Sequence, residues 1–443
     1  GVVEIFCVTT GQQVGFLGGP MYTAYKIITA IRLAEHLTET LQLTVVPIFW
    51  LATEDHDFNE INHAYYPKAD GEVGQVKFAW GQQGHPVADL PVSDGAKQAY
   101  DDYFEHLPSS PHLAHVREQF ACRGEKDYCT WHARIWSQLF SEYGLVIAEP
   151  TILRPPAGAL FRFALQHRDE IGARLADVSG RLQAAGYDPA LSADMAGQMY
   201  TFDAEGRRIR VSKPLQHLQR TLVHPERYST DAAMRPLFAD AMLPTLASVL
   251  GPGEIAYQAM LRPLYDLFEI PQPLLFPRKS YTIVAQSEAE QLGRYQTSVT
   301  AILTDKLDMG ATLHHLVPPS ELAIFDEARI KVEAALSPLR SHLEEMDPNL
   351  GKTWMQTLNN SMRSIDKLEG RATKVLMSKL GLSRGELQAL RNRVLPRGRL
   401  QERVLSLPYF MGRYGPRFID KVLSAGSLDD FSHHILTIGD DDA

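Results

Sequence analysis

Two polar clusters in the first 65 residues carry side chains that could do chemistry. The first, Thr10-Gly11-Gln12-Gln13, opens a stretch with glycines at 11, 15, 18 and 19 and runs on to Thr23 and Lys26. Glycines let backbone amides come close to a ligand, and a helix starting just after them brings its positive end to the same place. Lys26 could reach a phosphate or a carboxylate, while Gln12 and Gln13 offer both donors and acceptors. The spacing is neither G-x-x-x-x-G-K-[ST] nor G-x-G-x-x-G, so neither common phosphate-loop pattern applies. A tight structural turn is the plainer alternative. The second cluster is Thr53-Glu54-Asp55-His56-Asp57, followed by Glu60, Asn62 and His63. Carboxylates beside a histidine can hold an amine, orient a general base or bind a metal. The preferred reading is substrate recognition, for example a carboxylate pairing with an ammonium group. A metal needs three or four converging ligands, and His56 and His63 share a face only if this stretch is helical. A solvated helix start, with acids near the positive end, is the third option. Farther along, Arg278-Lys279-Ser280 could steady a triphosphate or a developing negative charge. The pairs His314-His315 and His433-His434 read as surface residues and receive no role.

These side chains need elements to position them. Val2–Val8 reads as a buried strand, residues 10–20 as a tight loop, Met21–Leu37 as a helix and Thr44–Ala52 as a second strand. That is a β-α-β unit, and ligands in such sheets bind beyond the carboxyl ends of the strands. Both polar clusters lie at such ends and should face each other across one crevice. Residues 67–98 read as a loop or short hairpin, and Tyr100–Phe140 mixes helical patterns with turns. Gly144–Glu149 is a short strand and Gly158–Ala185 a helix. Met199–Val211 is a hairpin turning at Glu205-Gly206. Gly251-Pro252-Gly253-Glu254 feeds a helix starting near Ile255, and Pro273–Phe276 is a further strand. From about Ser287 the pattern changes to two long helices joined at Asp347-Pro348, an antiparallel hairpin with a kink expected at Pro338. The organisation expected is a core over residues 1–154, an insertion over 155–239, a second part of the core over 240–286, a helical arm over 287–394, and a return to the core over 395–443.

The chain has 443 residues, enough for two or three domains, and a net charge of −9. As a whole it does not read as a binder of nucleic acid or membrane surface. It has three cysteines, Cys7, Cys122 and Cys129, without short paired spacing. That argues against a zinc cluster or disulfide framework and for a reducing, cytoplasmic setting. No apolar run approaches the ~20 residues that span a bilayer, and no signal peptide is seen. The chain starts at Gly1 directly on a strand, which reads as a start with something removed ahead of it. The arms of the hairpin differ in charge: residues 320–347 hold seven acids and three bases, residues 350–399 eleven bases and three acids. The arms can pair with each other, and the basic one could also meet a polyphosphate or an acidic partner. Asp440–Asp442 read as a frayed acidic tail.

The motifs TGQQVGFLGGPMYTAYK, FWLATEDHDFNEINHA, GPGEIAYQ, PRKSYT and LQER, in that order, resemble the bacillithiol synthase family, the cysteine ligases of bacillithiol biosynthesis. The resemblance covers nearly the whole chain. It implies an α/β fold with a Rossmann-like core similar to class I aminoacyl-tRNA ligases, connecting-peptide-type insertions, and a long antiparallel coiled-coil arm that supports a homodimer. The activity it implies is addition of L-cysteine to the free amine of glucosaminyl malate, with ATP and Mg2+ activating the cysteine carboxylate and no tightly bound metal. A nucleotide site near the arm is also associated with the family. Carried over by position, Glu54, Asp55, His56 and Asp57 would be catalytic. Gln12, Gln13, Gly19, Tyr22, Lys26, Asn62, Glu254, Tyr257, Arg278 and Ser280 would bind substrate or nucleotide. The first loop lacks His-x-Gly-His, and Pro277–Ser280 is not Lys-Met-Ser-Lys-Ser, so adenylation rests on analogy. The family's segment ahead of the first strand is missing here, which reads as a trimmed member. The other readings are a different nucleotide-dependent amide-forming or nucleotidyl transferase, and a coiled-coil scaffold with a vestigial crevice.

Overall fold

The structure, a computed structural model, describes residues 4–68, 71–81, 84–192 and 197–439; the acidic tail at 440–442 lies outside these. Its centre is a five-stranded, all-parallel sheet of β1 (Ile5–Gln12), β2 (Thr44–Leu51), β5 (Val146–Ala148), β9 (Thr245–Leu250) and β10 (Leu274–Pro277), in the order β10-β9-β1-β2-β5. The first strand extends through Gln12, so Thr10–Gln12 belong to the sheet and the tight loop begins only after them. Helix α1 (Tyr22–Leu41) crosses from β1 to β2. It is buried on several sides, with Val8, Ala30, Leu33, Ala34, Val45 and Val249 forming the layer between it and the sheet. A helix buried all round is what an apolar pattern without a clean polar face encodes.

Between β2 and β5 the chain makes a hairpin, β3 (His63–Pro67) with β4 (Val73–Lys77), and helices over Asp94–His106, Leu113–Phe120 and Tyr128–Phe140. His63 starts a strand, so it shares no helix face with His56. The insertion forms a small antiparallel sheet, β7 (Arg208–Arg210), β6 (Met199–Phe202) and β8 (Tyr228–Thr230), with its own core around Phe161, Tyr228, Leu237 and Tyr265. The helix expected over 158–185 is two helices, Gly158–Gln166 and Arg168–Ala184, meeting at His167. Helix α2 (Arg235–Met242) returns the chain to β9, and α3 (Pro252–Ala259) follows that strand.

The hairpin arm is α4 (Pro319–Met346) and α5 (Leu350–Lys379), with Pro338 inside α4. Arg329 bridges the arms to Asp366 and Glu369, and the Trp354 indole donates to the Leu336 carbonyl at 2.8 Å. Beyond the arm the chain makes helices over Arg384–Val394, Leu407–Tyr414 and Phe418–Leu423. It ends on β12 (His433–Ile438), which pairs in parallel with β11 (Ser280–Ala285) as a separate two-stranded sheet. The return thus closes on the linking strand and not on the central sheet. Its side chains Leu405, Phe410, Phe418 and Ile438 share one core cluster with Phe16, Tyr25 and Leu51 from the first domain.

Candidate functional site

A cavity of about 290 Å³ opens at the carboxyl ends of β1, β2 and β9, where a parallel sheet exposes its ligand-binding edge. Residues Thr9–Gln12 line it from β1 and Gln13 from the loop after it, Trp50, Asp55 and Glu60 from the end of β2 and beyond, Ser248 and Leu250 from β9, and Glu254 and Tyr257 from α3. The remaining wall is one face of α2: Arg235, Pro236, Ala239 and Asp240, repeating at the helical i, i+4 spacing.

The backbone of the first loop explains its glycines. Gly18 and Gly19 have φ of 87° and 74°, a region that side chains disfavour. A Cβ on Gly15 would stand 2.7 Å from the Gly19 Cα, so the loop folds back on itself without room for a methyl group. Just past it, Lys26 is 1% exposed. Its ammonium gives its three protons to the Gly11 carbonyl at 2.6 Å, Gln12 Oε1 at 2.9 Å and Glu254 Oε1 at 2.7 Å. Burial pulls its pKa below the ordinary lysine value, while Glu254 pulls the other way. Glu254 also caps α3, accepting the Gly251 N–H at 2.8 Å. Lys26 therefore welds α1, β1 and α3 together under the cavity.

Asp55 lies at the mouth. Burial raises its pKa, but Arg235, the His56 N–H, Arg208 and Gln13 outweigh this and hold the carboxyl below the ordinary aspartate value. Arg235 stands 3.7 Å away and Gln13 Nε2 donates at 3.3 Å. Farther along α2, Asp240 accepts the Tyr265 hydroxyl at 2.6 Å. Burial pushes its carboxyl up to about 6, with the Tyr265 and Thr245 hydroxyls opposing.

The structure thus brings Gln12, Gln13, Asp55, Glu254 and Tyr257 together in the cavity, with Lys26 behind them. Tyr22 is one step removed, its hydroxyl accepting from Gln12 Nε2 at 3.3 Å. Glu54 does not face the crevice: it is 4% exposed and accepts from Arg154 at 2.8 Å on the insertion side. His56 and Asp57 are exposed outside the cavity, with His56 Nδ1 3.3 Å from Arg208. Asn62 is buried and donates to the Phe78 carbonyl, and Gly19 shapes the loop. Arg278 and Ser280 are tied up elsewhere. Arg278 makes two bonds to Glu402, at 2.5 and 3.0 Å, and Ser280 adds a third at 2.9 Å. His433, read as a surface residue, lies 2.6 Å from Ser280 and 2.8 Å from Thr282. The motifs PRKSYT and LQER therefore meet in one buried network that clamps the C-terminal part to the core. Sequence reasoning missed Arg235 and Asp240. The available signal was a charged pair on one face of the short apolar helix RPLFADAM just ahead of a strand.

The described residues hold no group of three or more histidine, cysteine or acidic side chains placed to bind a metal ion, and no helix long and apolar enough to cross a membrane. Fold and cavity together define a Rossmann-like protein with a small-molecule pocket at its sheet edge and a coiled-coil arm. The chain belongs to the BshC family of bacillithiol biosynthesis: residues 3–279 match its N-terminal Rossmann-like domain and residues 281–438 its C-terminal coiled-coil domain. Among its relatives, the protein named "Putative cysteine ligase BshC" of Geobacillus kaustophilus is 30% identical, with 96% of this chain and 83% of that protein covered. Its namesake from Salinibacter ruber is also 30% identical, over 98% of this chain and 83% of the relative.

Proposed function

We propose that this protein is a ligase that joins the carboxylate of L-cysteine to the free amine of glucosaminyl malate, forming an amide in bacillithiol biosynthesis. The observation that carries the reading is the cavity at the carboxyl edge of the sheet, lined by both a guanidinium and carboxylates. A zwitterion and an amine need both signs of charge. Family membership and the relatives' names supply the reaction class.

Amide formation from a carboxylate requires its oxygen to become a leaving group, and we assign that activation to ATP with Mg2+. The residues first assigned to the phosphates do not fit this role. Lys26 is saturated by Glu254, Gln12 and Gly11, and Arg278 by Glu402. No step is therefore routed through them. The cavity's own residues hold and orient the small substrates and keep water from the acyl carbon. We further propose a homodimer through the arm, supported by apolar side chains left exposed along it, Ile324, Ile330, Leu368 and Val375. A reducing, cytoplasmic setting suits a thiol substrate and the three free cysteines.

The test is a mass-spectrometric assay with cysteine, glucosaminyl malate and Mg-ATP, with thiols alkylated for detection. The expected product is the two substrates joined with loss of water, absent from the tube without ATP. A condensed product made equally without ATP would remove the activation step. No condensed product in either tube would overturn the ligase reading.

A further inference from the structure

Most charges lining the cavity are balanced in place, and Asp240 is not. Asp55 faces Arg235, and Glu254 is held by Lys26. Glu60 stands at the exposed rim. Asp240 has only hydroxyl partners, Tyr265 and Thr245, and no cation pairs with it among the described residues. A carboxylate withdrawn from water without a cation is costly. At the other end of the same helix, Arg235 Nε is buried and has no hydrogen-bond partner. The direction of α2 fixes where each charge lies. Arg235 reaches Asp55 beyond the end of β2, while Asp240 reaches Thr245 at the start of β9. Five residues separate them, about 7.5 Å along the axis of an α-helix.

We propose that α2 is a clamp for the two charged groups of an α-amino acid, with Arg235 taking the carboxylate and Asp240 the ammonium. The proposal rests on the ligase reading and deepens it by naming the element that reads the amino acid. Both side chains line the one cavity, so an α-amino acid lying along α2 meets a guanidinium with one charged group and a carboxylate that lacks a cation with the other. Asp55 acts as a positioning residue that holds the Arg235 guanidinium at the mouth. The nearby lining of Ala52, Ala239 and Leu250 is apolar, and suits a small uncharged side chain.

Calorimetric titration of the full chain at pH 7.5 tests this with three ligands: L-cysteine, cysteamine, which lacks the carboxylate, and 3-mercaptopropionate, which lacks the ammonium. The wild type should bind cysteine at least tenfold more tightly than either analogue. Asp240→Asn should lose the preference over 3-mercaptopropionate but keep that over cysteamine, and Arg235→Gln should do the reverse. Thermal melts of each variant check folding, and Arg235→Lys, which keeps the charge, should restore part of the lost preference. Wild-type binding of cysteine with both preferences unchanged in the variants would overturn the clamp alone. A uniform loss for all three ligands would also overturn it, since that marks a structural role. No binding of cysteine by the wild type would overturn the ligase reading together with the clamp.

Discussion

The fold constrains the chemistry of Lys26 and Asp240 in opposite ways. Lys26 is a buried cation with every proton placed, so removing it leaves Glu254, Gln12 and the Gly11 carbonyl without a donor. Lys26→Met should destabilise the protein by roughly 3 kcal/mol, the usual cost of breaking a buried pair from one side. Urea unfolding reads this directly, and an unchanged midpoint would remove the ammonium from the list of structural anchors. Asp240 works the other way. Its folded pKa of about 6 lies above the ordinary 3.8, so between about pH 4 and 6 the folded state keeps a proton that the unfolded state has lost. Its contribution is neutral below that window, turns unfavourable as pH rises through it, and is fully unfavourable above pH 6. The deficit is on the order of 3 kcal/mol. Asp240→Asn should therefore melt at a higher temperature than the wild type at pH 7.5, with the gap closing toward pH 4. A variant less stable at both pH values would show that the carboxylate is structural. A functional group that costs stability in the empty protein is what a binding site predicts.

At the scale of elements, the loop between β1 and α1 sets the positions of the side chains on either side of it. Gly15→Ala would press on the Gly19 backbone from 2.7 Å and displace the turn that aims Gln12 and Tyr22. We expect at least a tenfold loss of cysteine affinity by calorimetry, with only a modest drop in melting temperature. Full affinity in the variant would mean that the loop adapts. The β1-α1-β2 unit was legible in the sequence because Cys7–Thr10, the faces of α1 and Pro47–Phe49 are continuous buried runs, the mark of a sheet covered on both sides. The cluster after β2 was only partly legible. Its composition showed that polar groups gather at a strand end, but direction cannot be read from composition. Adjacent side chains part ways there, Glu54 toward Arg154 and Asp55 toward Arg235. The pair β11 and β12 was illegible for a different reason. A parallel ladder between Ser280–Ala285 and His433–Ile438 leaves no local signature, because each strand finds its partner only through the fold.

The whole molecule joins an α/β core to an arm that leaves several large apolar side chains exposed. Leu368→Glu places a charge at an exposed apolar position of the arm and should shift the protein to a monomer in multi-angle light scattering. An unchanged mass would move the proposed dimer contact off this position. The clamp made by Arg278, Ser280, Glu402 and His433 has a wider consequence. The cluster that contains Phe16 and Leu51 is finished by Leu405, Phe410, Phe418 and Ile438, which a ribosome adds hundreds of residues later. During synthesis the first domain must wait, with part of its apolar surface bare, while the insertion and the arm emerge. Nascent chains paused after the arm would be the species that a chaperone holds, and the segment beyond the arm would act as the latch that releases them.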